Sequence, residues 1–306
     1  MSLKHKEEIT IWAFKDGKKG HEKQIDALIT EFSSIKNVNL FEFSTWKIHE
    51  SRPDLIIGAG NSTHKHILTA KKEHPSAKSI VLMKPSLRPT QWFDVAVVPD
   101  MDRFYLHKPK NVISTKGVLS KYSNEQTIPN TGLIVIGGKS RHYHFRKKVV
   151  NQQIEHLLNE EFKDYHWKIT TSPRSPNLDL PKHSGNAEFY SWKNTSENWM
   201  SDEISKSEIT FLTPESVSVL YEGLSTNTKV YVFHHEQHIV GQYGEKRKTK
   251  VTRNIDRLKK EGLIGYIDSS RYFFSRTVKD LDIIHPKKNK PLSESRRVVQ
   301  ELLEKL

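Results

Sequence analysis

The sequence predicts an α/β protein of two Rossmann-like domains facing a cleft, with a C-terminal helix free to cross back to the first domain. Three observations predict it: a length beyond one core, β-rich runs alternating with helical segments in two series, and glycine-bearing turns where strands end. At 306 residues, a prior of about 100 to 200 residues per domain gives two cores.

The first series of strand-like runs is Ile9 to Phe14, Asn39 to Phe43, Asp54 to Ile57, Ser79 to Met83, Phe93 to Val98 and Val112 to Ser114. Helical or turn segments separate them, which is the pattern of a parallel sheet. Leu55-Ile56-Ile57 and Val95-Ala96-Val97-Val98 are apolar without alternation, as strands covered on both faces must be. From Lys121 to Asn130 the chain is polar, carries Pro129 and has no periodicity, so it reads as a linker. A second series follows: strands at Leu133 to Ile136, Trp167 to Thr170, Glu188 to Trp192, Ile209 to Leu212 and Val230 to Phe233, with helices near 146–162, 196–206 and 215–225. The expected division is therefore 1–125, 131–290 and a terminal helix, 291–306. In that helix Ser293 is a candidate cap, and Val298, Val299, Leu302, Leu303 and Leu306 form one apolar face. The face needs a host on the first domain, its own domain or a partner chain.

Hydrophobic residues make up 35% and charged residues 28%, enough apolar surface for ordinary cores and too much for a disordered chain. Lys and Arg number 49 against 36 Asp and Glu, a formal charge of +13. Such an excess favours anionic partners, whether nucleotides, acidic lipid surfaces or nucleic acid, and is also compatible with a plain basic surface. The absence of cysteine excludes disulfides, thiolate nucleophiles and Cys-ligated zinc. Met1 to Thr10 is polar, and no stretch nears the ~18 apolar residues that span a bilayer. The expected location is the cytoplasm, with the inner membrane as a surface for peripheral attachment. Nucleic acid is the less favoured partner: the basic run Lys246 to Lys250, leading into Val251, Ile255 and Leu258 at helical spacing, lacks a set of stacking aromatics. No metal is expected, because the adjacent His234 and His235 are poorly placed to ligate one ion together and no carboxylate pattern completes a site.

The turns carry the chemistry. After the first run comes Asp16-Gly17-Lys18-Lys19-Gly20-His21-Glu22-Lys23-Gln24. Here Gly17 and Gly20 would permit positive φ and close backbone approach, and a helix start offers free N–H groups to an anion. His21 would sit at the cleft mouth. Gly58-Ala59-Gly60-Asn61-Ser62-Thr63-His64 repeats the arrangement after the third run, at the strand end where open α/β sheets take ligands. The second series opens with Gly137-Gly138-Lys139-Ser140-Arg141, in which amides, a hydroxyl and two cations suit a phosphate. Thr170 to Pro176 brings hydroxyls, Thr171 among them, and Arg174 between two prolines. In Thr213-Pro214-Glu215-Ser216-Val217-Ser218, Thr213 and Ser216 are candidate caps and phosphate partners, with Ser218 beside them. Glu222 follows two turns later, where a carboxylate can accept ribose hydroxyls. Each also has a plain reading as a tight turn, a solvated loop or an exposed helix face.

Together with Phe93-Asp94, Val98-Pro99-Asp100 and Ile113-Ser114-Thr115-Lys116-Gly117, these motifs resemble the mitochondrial fission family of plant "elongated mitochondria" proteins, whose bacterial relatives have been loosely labelled nucleoside-diphosphate-sugar epimerases. The resemblance spans most of the chain. It implies a GT-B arrangement similar to the lipid-linked peptidoglycan N-acetylglucosaminyltransferase, with an acceptor-side first domain and a nucleotide-binding second domain. It also implies His21 near the acceptor and Glu222 on the donor ribose. The donor substrate would be a nucleotide-diphosphate sugar, no cofactor is implied, and transfer would invert the anomeric carbon. Family membership also implies an alternative, a non-catalytic membrane-associated or fission-type factor on the same scaffold. Relatives usually carry Asp where this chain has Glu215, and Thr-Ser-Arg-Arg-Thr-Pro where it has Thr171-Ser172-Pro173-Arg174-Ser175-Pro176. A nicotinamide-dependent epimerase, which requires a Tyr-x-x-x-Lys pair as well as the G-x-G-x-x-G fingerprint, is not expected, since the full fingerprint is missing.

Overall fold

Six strands, each parallel to its neighbours, form the first sheet of the computed structural model, which describes residues 3–102, 104, 107–178, 183–238, 248–268, 281–287 and 290–306. They are β1 (Glu8–Phe14), β2 (Asn37–Phe43), β3 (Leu55–Ala59), β4 (Lys78–Leu82), β5 (Val95–Pro99) and β6 (Val112–Thr115), in the order β2-β1-β3-β4-β5-β6. Successive side chains leave a strand on opposite faces. Ile11 and Ala13 therefore join one apolar cluster with Ile25, Leu28 and Phe32 of α1 (Lys19–Ser33), while Trp12 and Phe14 join another with Ile67 and Ala70 of α2 (His64–Glu73). The unbroken apolar runs follow from this double cover.

The second sheet has eight strands: β7 (Ile128–Ile136), β8 (His166–Thr171), β9 (His183–Ser184), β10 (Ala187–Tyr190), β11 (Ser207–Leu212), β12 (Lys229–Val232), β13 (Gly265–Asp268) and β14 (Asp282–Ile284). Their order is β14-β13-β12-β11-β7-β8-β10-β9, parallel throughout except for the outermost pair on each edge. The helices are α3 (Lys147–His156), which runs on through a π-helical turn at Leu157–Glu161, α4 (Trp199–Lys206), α5 (Val217–Leu224) and α6 (Lys250–Lys260). Phe211, Tyr231, Phe233 and Trp167 form the centre of the core under α3. All five strands expected in this half are present. β9, β13 and β14 were not anticipated; β9 and β14, at two and three residues, are too short for alternation to register. The stretch read as a linker already contains the first residues of β7. The basic helix is present as α6, while Lys246 and Arg247 lie outside the described residues.

The terminal helix α7 (Glu294–Lys305) takes the first of its three possible hosts. Val298, Val299 and Leu302 are at most 1% exposed and share a cluster with Leu28 and Phe32 of α1. Polar contacts fix its start: the Lys116 amide donates to Glu294 (2.9 Å), and Arg297 donates to the Ser114 carbonyl (2.7 Å). The Ile113-to-Gly117 motif is thus the seat of this helix. The two compact units are consequently residues 1–122 with 293–306, and residues 123–292.

Candidate functional site

Each sheet has a point where the chain reverses its direction of travel across the strands. In the first unit it steps from β1 out to β2 and returns on the other side of β1 as β3. In the second it steps from β7 to β8 and β10, then returns beside β7 as β11. Loops leaving the two strands that flank such a switch diverge at their carboxyl ends and leave a crevice for ligands. The paired loops are Lys15–Lys18 with Gly60–Thr63, and Gly137–Arg146 with Thr213–Ser216. Local sequence had singled out parts of all four; topology pairs them.

In the first unit the pairing builds a carboxylate–imidazole dyad. Asp16 Oδ2 lies 2.9 Å from His21 Nδ1 and accepts the Ser62 hydroxyl at 3.0 Å, while Oδ1 accepts the Lys18 amide at 3.2 Å. The Asp16 side chain is 3% exposed and that of His21 22%. Burial works against ionisation of Asp16, but the bonds from His21, Lys18 and Ser62 outweigh it and hold the carboxyl below its ordinary value. An ionised Asp16 can only accept, so Nδ1 of His21 carries the proton at this contact, which directs Nε2 away from the carboxylate. Gly60 makes room for the ring: at φ +86°, a Cβ there would lie 2.5 Å from Nδ1 and 2.9 Å from Asp16 Oδ2. Gly17, at φ +77°, reverses the chain, and its amide donates to Glu22 at 3.0 Å. Gly20 departs from expectation. It is the second residue of α1, without positive φ, and its carbonyl accepts from the Gln24 side chain.

The turn in the second unit is filled from within. The Gly137 amide donates to Thr213 Oγ1 at 2.7 Å and the Gly138 amide to Glu215 Oε1 at 2.8 Å, so the protein itself takes up both donors that were expected to face a phosphate. Thr213 also donates to the same carboxylate oxygen at 3.0 Å. It therefore does not cap α5, and Ser216 at the cap position makes no side-chain cap bond either. The carbonyl of Arg174 packs on Gly138, leaving 1.9 Å for a Cβ, and Ser175 secures that loop by donating to the Ile136 carbonyl at 2.7 Å. Ser140 accepts the amides of His142 and Tyr143, at 3.1 and 3.2 Å. Lys139, Arg141 and Arg174 are exposed; Thr171 and Ser218 are half-buried. Glu222 accepts the Ser201 hydroxyl of α4. The turn thus gathers Gly137, Gly138, Arg174 and Ser216 around Thr213 and Glu215, while Glu222 is engaged by α4.

Two carboxylates that sequence reasoning passed over, Asp16 and Glu215, organise these turns. A usable signal existed for Asp16, an acid at a strand end five residues ahead of a histidine. Tyr143 and Lys147 have the Tyr-x-x-x-Lys spacing, but Tyr143 is 5% exposed and burial pushes its hydroxyl far up, so it offers no accessible acid or base.

Two mostly parallel α/β sheets, each with its loops paired at a topological switch, define a GT-B-like protein. Solved structures agree on that fold. The glycosyltransferase SnogD from Streptomyces nogalater superposes with a TM-score of 0.50 at 9% identity, over 98% of this chain and 95% of that one. A UDP-GlcNAc 2-epimerase from Methanocaldococcus jannaschii gives 0.50 at 8% identity, over 97% and 99%. The spinosyn forosaminyltransferase SpnP gives 0.50 at 7%, over 97% and 90%. Among curated proteins none matches the chain. The chain belongs to the mitochondrial fission ELM1 family, whose family model matches residues 9–306. Among the described residues no helix is long and apolar enough to cross a membrane.

Proposed function

We propose that this protein is a GT-B-type glycosyltransferase that binds a nucleotide-diphosphate sugar on its second unit and transfers the sugar, with inversion, to an acceptor hydroxyl. The observation that carries the proposal is the Asp16–His21 dyad seated on Gly60. Asp16 holds Nδ1–H, and Nε2 takes the proton from the acceptor hydroxyl as general base. The acceptor oxygen forms a bond to the anomeric carbon while the bond from that carbon to the diphosphate oxygen breaks, and both electrons leave with the diphosphate. Lys139, Arg141 and Arg174, with the Ser216 and Ser218 hydroxyls at the start of α5, stabilise the departing charge. Glu222, whose carboxylate also accepts the Ser201 hydroxyl of α4, holds the ribose. Fold similarity to an enzyme named for UDP-GlcNAc supports a nucleotide-sugar ligand.

A panel of nucleotide sugars in thermal unfolding tests the binding: a ligand at a hundred times its Kd adds about 2.7 kcal/mol. His21→Ala then abolishes sugar transfer and leaves donor affinity unchanged; unaltered transfer removes His21 from the mechanism. If no nucleotide sugar stabilises the protein, the non-catalytic reading of the scaffold replaces this one.

A further inference from the structure

Glycine turns at strand ends bind phosphate because their amides converge on an anion. In the second unit an anion of the protein's own stands there. Glu215 Oε1 accepts the Gly138 amide at 2.8 Å and the Thr213 hydroxyl at 3.0 Å, and a Cβ on Gly137 would lie 1.9 Å from that oxygen. Glu215 is 7% exposed, and its other oxygen, Oε2, is buried without a hydrogen-bond partner. An ionised carboxylate with one oxygen unpaired in the interior is poorly stabilised.

We propose that Glu215 occupies the anion position of this turn and couples the binding of a phosphorylated ligand there to the uptake of one proton. The inference rests on the nucleotide-sugar reading above. A diphosphate brought to the turn sets like charge beside the carboxylate, which disfavours its ionised form. The proton comes from solvent and adds to Oε2. Oε1 keeps the Gly138 amide, and one protonation removes both the repulsion and an unpaired charge on the buried Oε2.

The surroundings leave Glu215 as the group that titrates. On its own loop it faces Thr213 and its own amide; from the β7 loop, the Gly138 amide and Tyr143; from the β8 loop, the charge of Arg174. Burial raises the carboxyl above its ordinary value against the pull of all those donors. Burial also keeps Tyr143 neutral well past physiological pH, and arginine stays charged.

The test is calorimetric titration with UDP-N-acetylglucosamine and GDP-mannose, whose esterified diphosphates do not titrate between pH 6 and 8, in pairs of buffers with different ionisation heats. Wild type is expected to take up about one proton per ligand near pH 8, with Kd rising about tenfold per pH unit once Glu215 is ionised in the free protein. Glu215→Gln, which keeps an oxygen for Gly138, binds without proton uptake, with a flat pH profile and more tightly at pH 8. Wild-type binding without proton uptake, or equal pH profiles for the two proteins, overturns the role of Glu215 and leaves the nucleotide reading standing. Binding by Glu215→Gln alone supports the proposal. Binding by neither at millimolar ligand overturns the nucleotide reading, and the coupling with it.

Discussion

In the first unit the acid beside the glycine turn, Asp16, is bonded to an imidazole and two further donors. In the second unit the acid, Glu215, reaches into the turn and takes the amide of Gly138, with one of its oxygens left unpartnered. Both turns lie at a switch point of a parallel sheet and both depend on a glycine with no room for a Cβ. The same ingredients therefore give an oriented base in one case and a self-filled anion position in the other. Glycines report where a backbone can approach closely; what occupies the space is decided by the neighbouring loop.

Adding one methyl group to each turn sharpens this contrast. Gly138→Ala places a Cβ 1.9 Å from the Arg174 carbonyl oxygen and 2.3 Å from its carbon. Backbone cannot rotate aside as a side chain can, so the expected loss is about 3 kcal/mol in urea unfolding. A loss below about 1 kcal/mol would mean that the Ser172–Ser175 loop yields freely. Gly60→Ala meets the His21 ring, which can turn away, and the main cost is a left-handed backbone, giving about 2 kcal/mol in the same assay. If Gly60→Ala proved the costlier of the two, the ring would be as rigid as the backbone.

The smallest effect concerns acid stability. Asp16 has its carboxyl held below the ordinary value of 3.8, so its contribution is present above that pH and lost as pH falls through the lower folded-state value. Asp16→Asn should thus lower Tm at pH 7, and the gap from wild type should shrink on acidification below pH 3.8. A gap independent of pH would mean that the Asp16 contacts do not depend on its charge.

How far these features were legible depends on whether they are local. Unbroken apolar runs such as Val95 to Val98 announce strands covered on both faces, and the face of α7 announces burial. Yet amphipathicity says only that a face is covered, and the choice of α1 as host required Glu294 and Arg297 to meet the turn at Ser114–Lys116. His21, Gly17 and Gly60 could be singled out from sequence. Asp16 carried a local signal, an acid at a strand end five residues ahead of a histidine, but its bond to His21 depends on α1 starting at Lys19. Gly20 was misplaced for the same reason: the helix begins earlier than the glycine spacing suggests. A glutamate three residues past a strand end reads as exposed, and only the missing Cβ of Gly137, far off in sequence, lets Glu215 turn inward.

The seating of α7 on α1 has a consequence for biogenesis. Residues 123–292 are in effect an insertion into the first unit, whose apolar cluster lacks Val298, Val299 and Leu302 until the segment 293–306 has left the ribosome. Domains generally fold as units while the chain is being made. Here the later-starting unit can finish first, and the nascent first unit must wait with its α1 surface uncovered throughout the translation of the other, a window in which a chaperone would find its grip.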